Sequence, residues 1–524
     1  MASKPLGMLV HFMPTLSRVA ISSILCMSLG AQTFDLDKSS PATLGNAMEL
    51  SVRNAPASAL MLWMPSFSAG PTPIALLDPT DPRELNIGLD LSGVWSSTIT
   101  SPTGTAATSL ALPLDPSYSG LLLHWQCMTI PGATAFVGAI SNDVLTITGM
   151  PTTSQLLPAS LAEARGMPAL AAMPQTDFNS VLVTGGGGGS LTGSAGLATT
   201  EVYDTLRLAV RPGPNMTTGR VLHLAVLLND GRTLLIGGAD ALGAVTASCE
   251  IYNPGTNTFT ATGNLLTGRV LHAAARLPDG RVMTAGGTST VADTTTAISN
   301  TLNSVEIYNP ATGTWSSGPA IGGRRLAPAL TLLSTGRVMV SGGIDVGLFF
   351  GIPISAVSTS AVQLYNPATN TWSAGAAMPG GRAGHQYNQV TLADNRVLMT
   401  GGINLTSLLN AATAGATNSA SIYNPSTNTW LATTMAQPRF VHTATRLSNG
   451  SIAVCGGSQG TLTTPTAIAD AELFNPVTNT WSSLPPLQSA RTSHVAKLQP
   501  DGLLVLIGGT DGIVTLTNIA SLHF

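Results

Sequence analysis

Five histidines each stand three residues after an arginine: His223, His272, His385, His442 and His494 follow Arg220, Arg269, Arg382, Arg439 and Arg491. At two further positions of the same kind, after Arg165 and Arg325, Pro168 and Pro328 replace the histidine. Imidazoles gathered around one axis would have the donors for a transition metal. A residue that recurs with a repeat is more often part of the unit's own frame, hydrogen-bonded to the next unit. The frame role is therefore the expectation for these histidines and arginines. Asp240, Asp293, Asp345 and Asp511 are scattered acids with the oxygen chemistry of calcium ligands but the setting of solvated turn residues. Leu348-Phe349-Phe350 and Ile352-Pro353-Ile354 make an apolar cluster within 344–360. Such a cluster is either a contact patch or folded down over its own protein, and we expect a cap. The Thr/Ala/Asn-rich stretches 288–304 and 403–419, the latter with Asn404, offer hydroxyls and amides to a glycan or a backbone. Trp63, Trp95 and Trp125 have the faces to stack on sugar rings, but core packing is the expected use. The run Gly185 to Gly189 lacks the Lys-Ser/Thr and the following helix of a phosphate cradle. No nucleophile elbow occurs. We assign no catalytic residue, no metal and no cofactor.

Composition narrows the partners. Of 524 residues, 9% are charged and 44% hydrophobic, so a large core and a weakly charged surface are implied. A net charge of −3, with lysine only at positions 4, 38 and 497, offers no field for a phosphate backbone, and no nucleic-acid partner is expected. Lys4 and Arg18 precede the apolar run Val19 to Leu29, and Gly30-Ala31 follows. This order reads as a signal peptide over 1–31, removed on export. The run is too short to span a bilayer and no later segment qualifies, so no transmembrane segment is expected. Cys127, Cys249 and Cys455 are an odd set without framework spacing and read as buried small hydrophobes.

The elements that must position these residues are repeats. Gly-Gly closes an apolar strand seven times, starting at Gly185, Gly237, Gly286, Gly342, Gly401, Gly456 and Gly508, with spacings of 52, 49, 56, 59, 55 and 52 residues. Gly238 and Gly287 are the second members of two of these pairs. Each period reads as four strands. The first follows the arginine, and a tight turn such as Asp279-Gly280 leads to the second, which ends at Gly-Gly. The third carries Tyr252, Tyr308, Tyr365, Tyr423 or Phe474 before an Asn, and the fourth opens at Trp315, Trp372, Trp430 or Trp481 in four of the copies. The last copy lacks a fourth strand, and the stretch 151–158 stands unpaired ahead of Arg165. Since an open sheet edge invites aggregation, that stretch is expected to be the outer strand of the C-terminal sheet, joining the chain ends.

Gly-Gly, then a polar residue, then Tyr, then Trp, with an upstream Arg, resembles the kelch repeat across roughly 150–524. The resemblance implies an all-β fold: a seven-bladed kelch β-propeller over 151–524, behind a small β-sandwich over 32–150 suggested by short strands such as 47–52 and 120–125. It also brings in the galactose oxidase type, a secreted kelch propeller in which copper joins a tyrosyl radical through a Tyr-His pair on a first strand. The matching residues here are Leu222, Leu271, Gly384, Val441 and Ser493, none a tyrosine, and no counterpart of that family's C-terminal domain is read. A kelch epimerase acting on sialic acid shares the fold alone. The resemblance implies binding through the loops at one end of the ring, those between strands 2 and 3 and those leading from strand 4 into strand 1; the 2–3 loops here vary while the strands stay regular. The reading is an exported binding protein for a polysaccharide or a surface protein, with Asp240, Asp293, Asp345, Phe349, Phe350 and Asn404 as candidate contacts. The alternative is an extracellular carbohydrate-active enzyme.

Overall fold

The computed structural model describes residues 34–76, 81–91, 96–130, 137–173, 180–188, 195–408 and 414–524. The export segment, Trp95 and Gly189 lie outside the described residues.

Seven four-stranded antiparallel sheets follow one another along the chain. Blade two is typical: Leu224–Leu227, Thr233–Ile236, Cys249–Asn253 and Thr258–Ala261 pair in that order. Its second strand is buried at all four positions, as a strand sandwiched between neighbouring sheets must be. The first strand is shorter than its apolar run suggests. Leu222 turns left-handed at φ 59°, so Arg220 and Val221 belong to the loop end and the ladder begins at Leu224. Gly-Gly is required by sterics as well as by φ. Gly237 and Gly238 sit at φ 56° and 100°, and a Cβ on them would meet the carbonyl oxygens of Arg269 and Val221 at 2.6 and 2.8 Å.

The aromatic positions hold the blades together. Tyr252–Phe259, Tyr308–Trp315, Tyr365–Trp372, Tyr423–Trp430 and Phe474–Trp481 are tilted pairs with centroids 4.8 to 5.2 Å apart. Tyr308 and Trp315 of blade three pack among Leu234, Ile236 and Ile251 of blade two, so each pair fills the space between two sheets.

Blade seven is composite. Val495–Leu498, Leu504–Ile507 and Asn518–Leu522 come from the C-terminal part, and Ser154–Ser160 adds the outer strand. The pairing runs Ser154↔Leu522, Gln155↔Ser521 and Leu156↔Ala520, then shifts to Ser160↔Asn518. The expected joining of the chain ends is the observed one.

In front of the ring, Asp35–Lys38, Ala47–Arg53 and Ala106–Ala111 form one sheet, and Ser96–Ile99, Leu60–Ser66, Leu122–Ile130 and Val144–Ile147 another. Leu36, Leu50 and Val52 of the first share one core with Met61, Trp63, Leu123 and Trp125 of the second, which makes a sandwich. Trp63 and Trp125 are buried there, as core residues. Cys127, Cys249 and Cys455 are free and buried. Among the described residues no helix is long and apolar enough to cross a membrane.

Candidate functional site

In an antiparallel blade, the 1–2 and 3–4 turns lie at one end of the ring and the 2–3 and 4–1 loops at the other. The loop end is built on the repeated arginines. Arg220 is fully buried, and its guanidinium donates to the carbonyls of Gly237 (2.8 Å) and Ser248 (2.7 Å) and to Glu250 (2.9 Å). Glu250 in turn accepts from the backbone N–H groups of Thr217 and Thr218, fixing the 4–1 loop. Arg165–Glu201, Arg269–Glu306 and Arg439–Glu472 repeat the pair. In blade five Ser421 replaces the acid, and burial pushes Arg382 down to about 10. A planar donor fork reaching two carbonyls and a carboxylate at once is a task for arginine rather than lysine.

The histidines are frame residues. His223 shares a hydrogen bond with Thr184 of the preceding blade (2.9 Å), His385 with Ser341 (3.0 Å), His442 with Thr400 (2.8 Å) and His494 with Thr443 (3.0 Å). Burial, assisted by the neighbouring arginine, holds His223, His385 and His494 at about 3, so they are neutral. His272 faces the site of apolar Ile236, and both its ring nitrogens are buried without a partner among the described residues. Among the described residues no three His, Cys, Asp or Glu side chains gather to hold a metal.

The candidate contacts lie on separate loops. Asp240 accepts from the backbone of Leu242 and Ala244, and Asp511 from that of Ile513 and Val514, so each closes its own turn. Asp293 is the N-cap of a short helix, Thr294–Ser299, where 288–304 reads as an irregular loop. Asp345 lies in the blade-four hairpin opposite Arg325. Asn404 ends the two-residue strand Ile403–Asn404, and 409–413 of that loop lie outside the described residues. These acids are not brought together as calcium ligands.

The 344–360 cluster is split by the fold. Ile344–Phe349 and Ile352–Ser358 form a hairpin. Ile344, Val346 and Ala356 are buried in a cluster with Ile298, Leu326, Ile403, Leu405 and Phe440, contributed by several blades. Phe349 (61% exposed), Phe350 (91%), Ile352 (66%) and Ile354 (65%) stand in solvent. The cap expected of Leu348-Phe349-Phe350 and Ile352-Pro353-Ile354 is therefore not formed: the cluster projects, and the burial falls at the hairpin's base instead. The division runs along the hairpin: the base pairs Ile344↔Ser358 and Val346↔Ala356 lie against neighbouring blades, and beyond the bulge at Gly347/Leu348 the tip extends past them into solvent. Leu242 and Ile513, at the tips of two other 2–3 loops, are each more than nine-tenths exposed.

Blade five carries a brace that the repeat pattern conceals. From the arginine to the leucine closing the first strand is eight residues in blade two (220 to 228) but ten in blade five (382 to 392). The extra pair, Gln386-Tyr387, shortens the strand to Gln389–Thr391 and enters the space the inner strands enclose. Gln386 accepts from Leu330 N–H (2.8 Å) of blade four and donates to Ala274 O (3.4 Å) of blade three. The Tyr387 hydroxyl donates to His223 O (3.4 Å) of blade two. One blade thus braces three others across the axis. The longer Arg-to-Leu spacing is the available signal, hidden by the variable 2–3 loops.

The comparisons agree with this frame. The model of the Kelch motif matches residues 269–320 and 439–488, and these are blades three and six with the loops that lead into them. The ring is a kelch propeller. Two curated sequences named galactose oxidase, both from Gibberella zeae, are 25% identical to the chain over 169 residues, 32% of this chain and 22% of theirs. The chain thus matches about a fifth of those relatives' length. A solved fungal alcohol oxidase of the AA5 family, in complex with copper, superposes with a TM-score of 0.53 at 17% identity, covering 71% of this chain and 75% of that one. At that identity the likeness is one of fold. The copper chemistry that the oxidase resemblance implies does not fit the residues present. The kelch imidazoles are buried in the frame, and four of the five are hydrogen-bonded to a neighbouring hydroxyl.

Proposed function

We propose that this protein is an exported, non-catalytic recognition module that holds an uncharged polysaccharide against the loop end of its kelch propeller. The observation carrying the reading is the blade-four hairpin, whose base is anchored in a multi-blade core and whose tip presents Phe349 and Phe350, edge to face at 4.5 Å. A rigid, exposed aromatic pair offers apolar faces to the C–H surfaces of sugars at low entropic cost. The seven 2–3 loops contain no lysine or arginine and carry Asp240, Asp293, Asp345, Asp470 and Asp511. That balance disfavours polyanions and leaves Thr, Ser and Asn side chains to meet hydroxyl groups.

A glycan array of neutral and acidic polysaccharides, probed with the full chain and with Phe349→Ser/Phe350→Ser, tests this. Binding to neutral polymers, weakened at least tenfold in the double variant, is expected. A preference for acidic glycans would contradict the reading, and attachment that survives enzymatic deglycosylation of a cell surface would assign the face to a protein partner. The alternative, an enzyme of the galactose oxidase or epimerase kind, rests on the likeness of the ring. Stoichiometric copper uptake with peroxide release on a sugar would establish its oxidase form.

A further inference from the structure

We propose that the front sandwich is the clasp of the ring, holding shut the sheet in which the two ends of the propeller sequence meet. Six blades have all four strands linked through their own turns and loops; in blade seven the outer strand Ser154–Ser160 comes from the far end of the propeller sequence and has an irregular register. Opening there breaks no hairpin, so this seam is where the ring is most easily parted.

The front sandwich sits on that seam. Lys38, the last residue of strand Asp35–Lys38, is buried, and its ammonium donates to two carbonyls and pairs with one carboxylate. These are Leu145 O of the sandwich (3.3 Å), Thr205 O in the 3–4 turn of blade one (2.7 Å) and the Asp501 carboxylate in the 1–2 turn of blade seven (3.3 Å). One side chain thus joins the sandwich to both blades beside the closure. Leu145 N–H donates to Leu206 O at 2.8 Å, and Arg207 of blade one pairs with Asp143 of the sandwich. Ile147, Leu122 and Leu145 pack with Leu157 of the closing strand, Val181 and Val183 of blade one, and Leu503, Val505 and Ile519 of blade seven. Gly149 lies so close to the His523 ring that a Cβ there would clash with it, while His523 shares a 2.8 Å hydrogen bond with Gln155. These contacts lie at the turn end, opposite the 2–3 loops, so the clasp leaves the loop face uncovered.

Removing one partner of a buried ion pair leaves an uncompensated charge. In the full chain, Lys38→Met is expected to speed amide hydrogen exchange in Ser154–Ser160 and Asn518–Leu522 at least tenfold, with blades three to five unchanged. Ile147→Ala, a milder change for use should Lys38→Met not fold, is expected to give a seam-specific rise of about threefold. Equal acceleration in all blades, or loosening of the sandwich with the seam protected as in the parent, would overturn the proposal.

Discussion

The two ends of the ring are made from the same repeats and serve different ends. At the turn end the connections are short and alike. Asp230–Arg232, Asp279–Arg281 and Asp394–Arg396 pair across tight turns at 2.6 to 2.7 Å, and the front sandwich is docked beside them. At the loop end the 2–3 connections differ in every blade, carry no cation, and hold exposed Phe349, Phe350, Leu242 and Ile513. The strands between them are the same. Variation confined to one end, with the frame beneath it fixed by buried Arg–Glu pairs, is how a scaffold is separated from a recognition surface.

The comparison can be broken most severely by acid, which attacks the frame and should therefore abolish both ends together. His223, His385 and His494 are held at about 3 and His523 at about 4, below the ordinary value near 6.5, because burial disfavours their charged forms. Below pH 6.5 the unfolded chain binds more protons at these sites than the folded one. Stability is thus full above pH 6.5 and falls as the pH drops toward 3, each tenfold change in a protonation equilibrium being worth about 1.4 kcal/mol. Cooperative acid unfolding above pH 3, followed by circular dichroism, is expected. A melting temperature unchanged between pH 7 and 4 would mean that the imidazoles are not held neutral.

Next in size is Arg220→Met, which strands Glu250 in the interior and is expected to cost about 3–5 kcal/mol in chemical denaturation. The matching change in blade five, Arg382→Met, should cost less, because Ser421 leaves no buried carboxylate unpaired there. A smaller effect is expected from Arg232→Ala. Its pair with Asp230 is about two-fifths exposed on both sides, where such pairs contribute at most about 1 kcal/mol, and ligand binding should be unchanged.

How much was legible in the sequence follows from how local each signal is. Gly-Gly recurs in all seven copies because every blade needs the same turn, and the arginine's Glu partner and the Thr-Trp filler recur in four copies each, so weak signals repeated in register add to one strong statement of fold. The closing strand was legible because one copy lacked a fourth strand. Lys38 was not, because its burial depends on acceptors contributed by blades one and seven, which nothing near residue 38 announces. The Gln386-Tyr387 brace is concealed by counting from Gly-Gly to Gly-Gly, which merges the first strand with the loop before it. The 344–360 stretch looks like one apolar cluster in sequence, whereas Ile344 and Val346 turn inward and the tip residues outward.

The claim that recognition belongs to the loop end is tested most directly by a hydrogen-exchange footprint of the full chain with and without a bound neutral polysaccharide. Slower exchange in the hairpin Ile344–Ser358 and at Ile403–Asn404, with the turns at 228–232 and 277–281 unaffected, is the result expected. Protection at those turns, or on the front sandwich, with the hairpin unchanged would contradict the account.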